Sequence, residues 1–422
     1  MGIKLKTKIP GPKSKTVLFN AKKLNGGWSD PLPLVMSGKG KGSYFYDIDG
    51  NKFLDFASQI ASNPLGYNHK RLLKVVKRYR NVPVKIAGQD FITREHVNLM
   101  EELVSISKGM NAAFLINSGA EATENSIKIC LDKKKTAKFG ISFESAFHGR
   151  TLGALSCTNS KSVQKGNYFQ LPMRRLPYND HMKERFERII EEEAYPEDIG
   201  FVIIESVQGE GGYNFPSNKM VSELNQLCKK YKVPLIADEV QSGMGRTGKW
   251  WAYENFGLKP DVIASAKALQ VGAVVSRRDM FPKESGRISS TWGGGHLIDM
   301  ALGLETIKVI KDDKLLNRNN KMGEYLLNRL KEESGLSNVR GKGLMCAFDV
   351  QGTKFRNNLV LEMIMNGVAI IACGEKSVRV IPPFVVTEKE IDEMVEVLHK
   401  SMDICKKKGF RHKGSVCEIT GC

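Results

Sequence analysis

The sequence predicts an α/β protein: a large domain built on a mostly parallel sheet with helices on both faces, followed by a smaller α+β domain. Three observations support this. From about residue 112 to 310, short apolar runs alternate with helical stretches, and strands separated by helices imply right-handed crossovers and parallel pairing. Beyond that region the strands become fewer and lie between amphipathic helices. The 422 residues also suffice for two or three domains at roughly 150 residues each. The boundaries expected are an N-terminal segment 1–59 packing with the small domain, a large domain 60–310 and a C-terminal small domain 311–422.

Residues 1–40 are rich in Lys, Gly and Pro and read as an arm with turns. In 43–57, apolar residues flank Asp47–Asn51, so two short strands surround a turn. Ala112–Ile116 is a strand and Ser118–Asp132 a helix, and Phe139–Phe143 and Ile199–Ser206 are strands. Asn218–Lys232 is a helix, followed by strands at Val233–Val240 and Asp261–Ala266. Gly272–Ser276 adds a strand expected to run antiparallel at the sheet edge. Helices at Asp299–Lys311 and 320–333 lead to strands at Gly343–Val350 and Val378–Ile381, and Lys389–Cys405 is a final amphipathic helix.

Composition excludes several classes. Hydrophobic residues make up 41%, too many for a disordered chain. The net charge of +18 raises the question of a polyanionic partner, but much of the excess sits at the ends, in Lys4–Lys15 and Lys406–Lys413. A solvated basic surface is the simpler reading. Eight cysteines without a CxxC pair make no disulfide scaffold, and Cys130, Cys157, Cys228, Cys346 and Cys373 fall in apolar segments as buried thiols. Cys405, His412, Cys417 and Cys422 fit no zinc spacing, so no metal is expected. No apolar run long enough for a secretory signal or a membrane span appears. A globular, cytoplasmic protein is the expectation.

In an open α/β sheet, ligands bind beyond the carboxyl ends of the strands. Four segments of unusual composition lie at such ends. In Asn117–Ala122, Ser118 and Glu121 match a capping box, leaving the N–H groups of Gly119 and Ala120 to meet a phosphate or simply to start a helix. Phe147-His148-Gly149-Arg150 suits a planar anionic ligand or an ordinary loop. Glu205–Gly212 brings two carboxylates and an amide after an apolar strand, as a catalytic pair, metal ligands or partners for arginines. The fourth, Asp238–Gly248, contains a G-x-G-x-x-G run. Asp238 and Glu239 intervene at the strand end, which argues against a dinucleotide fingerprint. Lys267 closes the apolar stretch Val262–Ala266. A lysine there is poorly hydrated, which favours the neutral, nucleophilic amine.

Taken together these residues resemble the class III aminotransferases that depend on pyridoxal 5′-phosphate (PLP), enzymes of PLP fold type I. The likeness runs from about Tyr44 to Phe384 and rests on NSGAEA (117–122), AFHGRT (146–151), ESVQGEGG (205–212), IADEVQSGMGRTG (236–248), SAKAL (265–269) and STWGGG (290–295). The resemblance implies that Lys267 is the lysine joined to PLP and that Asp238 pairs with the pyridinium nitrogen. It implies that Val240 and Phe147 pack on the two ring faces, that His148 belongs to the cofactor site and that Gln241 bonds the ring hydroxyl. Ser118, Gly119 and Ala120 would hold the phosphate, and Thr291 would reach the phosphate of a second subunit, so a homodimer is expected. Arg150 would bind the remote substrate carboxylate, Arg379 the α-carboxylate of glutamate or 2-oxoglutarate, and Glu210 would pair with that arginine.

Within the family the chain looks most like 4-aminobutyrate and lysine 6-aminotransferases, and the stretches 290–300 and 340–348 look particularly like the lysine enzyme. The implied reaction moves a terminal amino group from 4-aminobutyrate or lysine to 2-oxoglutarate. Ornithine or acetylornithine transamination is the alternative, followed by racemisation or an aminomutase reaction on the same scaffold. The rival outside enzymes is a basic nucleic-acid-binding or NAD-binding protein. Three positions depart from the family pattern: Ser206 where proline is usual, Ala266 before the lysine, and the glycine-free 268–271. None of them removes a catalytic group, but they bear on the substrate.

Overall fold

The computed structural model describes residues 2–26, 31–82, 85–86, 90–289 and 296–408. Two compact units divide the chain, Met1–Lys70 with Asn317–Cys422 and Arg71–Leu316.

The N-terminal part of the first unit is more regular than its composition suggests. Pro12 opens a helix, Pro12–Leu24, where its missing N–H and fixed φ are harmless. Asp49 accepts from the Lys13 and Ser14 amides at 2.8 and 2.9 Å and so caps this helix from outside. Strands β1 (Met36–Lys41), β2 (Tyr44–Asp47) and β3 (Lys52–Asp55) pair antiparallel in order. The turn between β2 and β3 closes as expected: Asp47 Oδ1 accepts from the Asn51 amide at 2.8 Å, and Gly50 takes φ +83°.

The second unit holds a seven-stranded sheet. Its strands are β4 (Ala112–Ile116), β5 (Phe139–Phe143), β6 (Met173–Leu176), β7 (Ile199–Glu205), β8 (Leu235–Asp238), β9 (Val262–Ser265) and β10 (Gly272–Ser276). Their order is β4-β10-β9-β8-β7-β5-β6. The pairs from β6 to β9 are parallel, and β10 runs antiparallel to both neighbours. Here the structure corrects one expectation. β10 is antiparallel but is not the edge, because the apolar β4 pairs along its whole length and takes that position. The other edge is β6, MRRL, whose two arginines hide it from an apolar search.

Alternation along the strands sends side chains to both faces. Val202 and Ile204 join one core cluster, while Phe201 and Ile203 join the other with Ile236, Val262 and Ala264. The helix Gly119–Lys133 lies over the second face, burying Ala122, Ile129 and Cys130. On β5, a Cβ at Gly140 would stand 2.3 Å from Phe201 Cζ. The ring therefore fills the space that the glycine leaves.

The chain then returns to the first unit. Strands β11 (Ser337–Lys342), β12 (Met345–Asp349), β14 (Ile371–Cys373) and β15 (Ser377–Val380) form a sheet ordered β11-β12-β15-β14. The two-residue β13 (Val368–Ala369) pairs parallel with β3. The helices Thr353–Met365 and Glu388–Lys408 cover this part, the first with almost every residue buried. Such uniform burial erases helical periodicity, which explains why the pattern does not announce it. The five cysteines expected inside are buried thiols, as is Cys405. His412, Cys417, Cys422 and Thr291 lie outside the described residues. Among the described residues no helix is long and apolar enough to cross a membrane.

Phe201→Ala should lower unfolding free energy by about 3–5 kcal/mol in urea titrations, since glycine at 140 offers nothing to fill the void.

Candidate active site

Three neighbouring strands of the parallel sheet end on chemistry. Glu205 and Asp238 are in register at the ends of β7 and β8, and Lys267 follows β9 in a single 3-10 turn, Lys267–Leu269. The lysine takes φ +50° and Gln270 φ +70°, left-handed values that cost non-glycine residues energy and gather at functional sites. Gln270 thus supplies the turn where glycines are absent.

Asp238 is 5% exposed. A carboxylate so buried needs donors, and it has them: His148 Nδ1 lies 2.7 Å from Oδ2, and the Val240 amide donates to Oδ1 at 3.0 Å. The histidine is itself fixed. Its amide donates to Thr158 Oγ1 at 2.9 Å, and its carbonyl accepts from Thr123 Oγ1 at 3.0 Å.

Ser118 caps the helix Gly119–Lys133, its Oγ accepting from the Glu121 amide at 3.2 Å. The Glu121 carboxylate answers one residue earlier than a standard capping box, at the Asn117 amide, 3.1 Å away. This helix start is brought against the other segments by small residues. A Cβ on Gly119 would meet Val240 Cγ1 at 2.7 Å, and one on Gly149 would meet Ala120 Cβ at 3.0 Å. Ser118–Ala120, Phe147–Gly149, Asp238–Gln241 and Ala266–Lys267 therefore converge.

Phe147 and Arg150 stand together, the guanidinium carbon 5.9 Å from the ring centroid, within cation–π range. Glu210 is half-buried on the loop after β7, and Gln241 Oε1 lies near Gly209. Arg379 belongs to the other unit, 3% exposed on β15 between Ala347 and Ile371.

Two acids have parts that the sequence does not disclose. Glu205 bonds the loops that follow β5 and β7. Glu239 is 1% exposed and accepts four bonds: Ser206 Oγ at 2.5 Å, Ser242 Oγ at 3.0 Å, and the Ala252 and Tyr253 amides, each at 2.8 Å. Burial still pushes its carboxyl up to about 7. It folds the glycine run back on itself, so Gly243–Gly248 forms turns that lead only into the short 3-10 helix Ala252–Asn255. Ser206, in the place of the usual proline, is one of its donors. The available signal was an acid directly after a strand-ending acid; nothing local shows which one turns inward.

A family model for class III aminotransferases matches residues 26–402. The chain is a class III aminotransferase. Acetylornithine aminotransferase of Archaeoglobus fulgidus is 35% identical over 370 residues, covering 86% of this chain and 94% of that protein. Ornithine aminotransferase of Plasmodium falciparum is 33% identical over 399 residues, covering 88% and 92%. Among solved structures, lysine aminotransferase from M. tuberculosis superposes with a TM-score of 0.85 at 26% identity, covering 92% of this chain and 99% of that one. The aminotransferase is thus a PLP-dependent enzyme of fold type I, with amino acids and 2-oxo acids as its substrates.

The residues present fit PLP. His148 Nε2, Gln241 Oε1 and Ser265 Oγ are buried polar atoms bonded to no protein group, beside a buried carboxylate, a strand-ending lysine and a helix start. Buried polar atoms are rarely left so.

Glu239→Gln should lower stability of the enzyme by about 2–4 kcal/mol, because an amide NH2 must face donors now aimed at oxygen. Thermal and urea unfolding of the variant would measure it.

Proposed function

We propose that this aminotransferase moves the terminal amino group of acetylornithine or ornithine to 2-oxoglutarate, giving a semialdehyde and glutamate. The carrying observation is the identity of the relatives: acetylornithine aminotransferases at 32–35% identity over 86–89% of this chain. They favour this substrate pair over 4-aminobutyrate or lysine. Lysine is kept as a second reading because of the similarity to the M. tuberculosis enzyme.

When bound, PLP supplies an electron sink that makes the amino-bearing carbon acidic. The chain's own residues do the rest in this reading. Asp238, oriented by His148, holds the proton on the ring nitrogen. Lys267 Nζ would take the proton from the amino-bearing carbon. Phe147 and Val240 would cover the ring, Gln241 would take its hydroxyl, and the N–H groups of Gly119 and Ala120 with Ser118 Oγ would receive the phosphate. Arg150 binds the carboxylate remote from the reacting amine by a bidentate contact. Arg379 receives the α-carboxylate of 2-oxoglutarate, and Glu210 biases the enzyme toward ω-amines by offering a carboxylate when no substrate carboxylate is present. Thr291 is assigned to the phosphate of a second copy in a homodimer.

Glutamate formation with acetylornithine, ornithine, lysine and 4-aminobutyrate decides the donor. Acetylornithine or ornithine should exceed the other two at least ~10-fold in kcat/KM, about 1.4 kcal/mol of transition-state preference; a lead for lysine or 4-aminobutyrate would reject the assignment. Separately, borohydride treatment followed by peptide mass mapping should place a pyridoxyl group on Lys267. Asp238→Asn should lose most turnover, on the order of 100-fold or more, while keeping the fold, since an amide cannot hold the ring proton.

A further inference from the structure

Glu205 is 6% exposed and ends β7 beside Asp238. Its two carboxylate oxygens are committed to two different loops. Oε1 accepts from the Phe147 amide at 2.9 Å, and Oε2 accepts from the Gly209 amide at 2.8 Å. The first loop carries Phe147, His148 and Arg150; the second carries Glu210. The two oxygens let one side chain hold both loops at once. We propose that Glu205 is a positioning residue: it spaces the cofactor-facing loop against the Glu210 loop and ties that spacing to the charge that meets Asp238. This rests on the reading that the 147–150 loop contacts cofactor. Glu205 acts through backbone N–H groups and touches neither ring nor substrate.

The electrostatics give this role a measurable signature. Burial first, then the neighbouring charge of Asp238, push the Glu205 carboxyl up to about 8; Glu210 pushes the same way, and the two amides oppose them. Nearby among the described residues are His148, bonded to Asp238, and Tyr178, whose hydroxyl donates to the Glu205 carbonyl at 3.0 Å. Burial, Glu205 and Glu239 all hold that phenol protonated. A cation at Asp238, such as a protonated ring nitrogen, offsets the charge that raises Glu205 and so draws its carboxyl down. Below about 8, cofactor binding must therefore release a proton from Glu205. Affinity then rises with pH toward that value and levels off above it. A glutamine in this place carries no such proton.

The test uses full-length enzyme charged with pyridoxamine 5′-phosphate, which forms no bond with Lys267, and reads its dissociation constant by equilibrium dialysis from pH 6.5 to 9. Comparing wild type with Glu205→Gln cancels the titrations of the ligand itself. The ratio of the two constants should shift by about 10-fold toward wild type between pH 6.5 and 8.5, one pKa unit of linkage. A ratio constant with pH would overturn the proposal. If Glu205→Gln does not fold, Glu205→Asp keeps the charge but not the reach. It should bind more weakly at every pH with the pH dependence retained, and wild-type affinity would overturn the proposal. Phe147→Ala separates the premise: normal binding there would overturn the cofactor reading and this inference with it. Weakened binding with a pH-flat Glu205→Gln ratio would remove only the role of Glu205.

Discussion

Three carboxylates, Glu205, Asp238 and Glu239, end two adjacent parallel strands inside the large unit, and much of the site follows from the need to satisfy them. An unpaired buried carboxylate costs several kcal/mol, so each draws donors from a different part of the chain. Asp238 recruits His148, which positions the loop after β5. Glu205 recruits the amides of Phe147 and Gly209. Glu239 recruits two serines and two amides and folds the glycine loop. All three bond backbone amides, and Asp238 alone adds a histidine.

Glycine and alanine let these walls close. With no Cβ at Gly119, Val240 reaches the start of the helix Gly119–Lys133, and with none at Gly149 the Phe147 loop reaches Ala120. Polar demand draws the segments together, and missing side chains admit them. Either alone leaves the lysine, the acid and the helix start apart.

Much of this was legible in the sequence because the signals are local. Ser118 and Glu121 announce a helix start by their spacing, and the apolar run before Lys267 announces a strand end. The parallel sheet follows from alternation alone. What stayed hidden depends on distant partners. The Asp49 cap on the helix Pro12–Leu24 comes from another loop, β6 is disguised by arginines, and β10 lies inside the sheet because β4 claims the edge. Asp238 and Glu239 are neighbours with different partners, one bonded to His148 and one locked among two serines and two amides. Only the Ser206 and Ser242 hydroxyls and the amides of Ala252 and Tyr253 decide which is which.

The interior place of β10 also bears on how the molecule assembles. The turn holding Lys267 is framed by β9 and β10, and β10 is itself held by β4, from which roughly 160 residues of chain separate it. Closing so long a loop is entropically slow and is compensated only once both strands are in place. The helix start at Ser118 emerges early in synthesis, but the lysine's turn is anchored only after residue 276 has been made. Nascent chains that end between residues 133 and 276 can hold the helix Gly119–Lys133 but not the frame of the Lys267 turn, so the order of synthesis completes the helix start before the lysine's place.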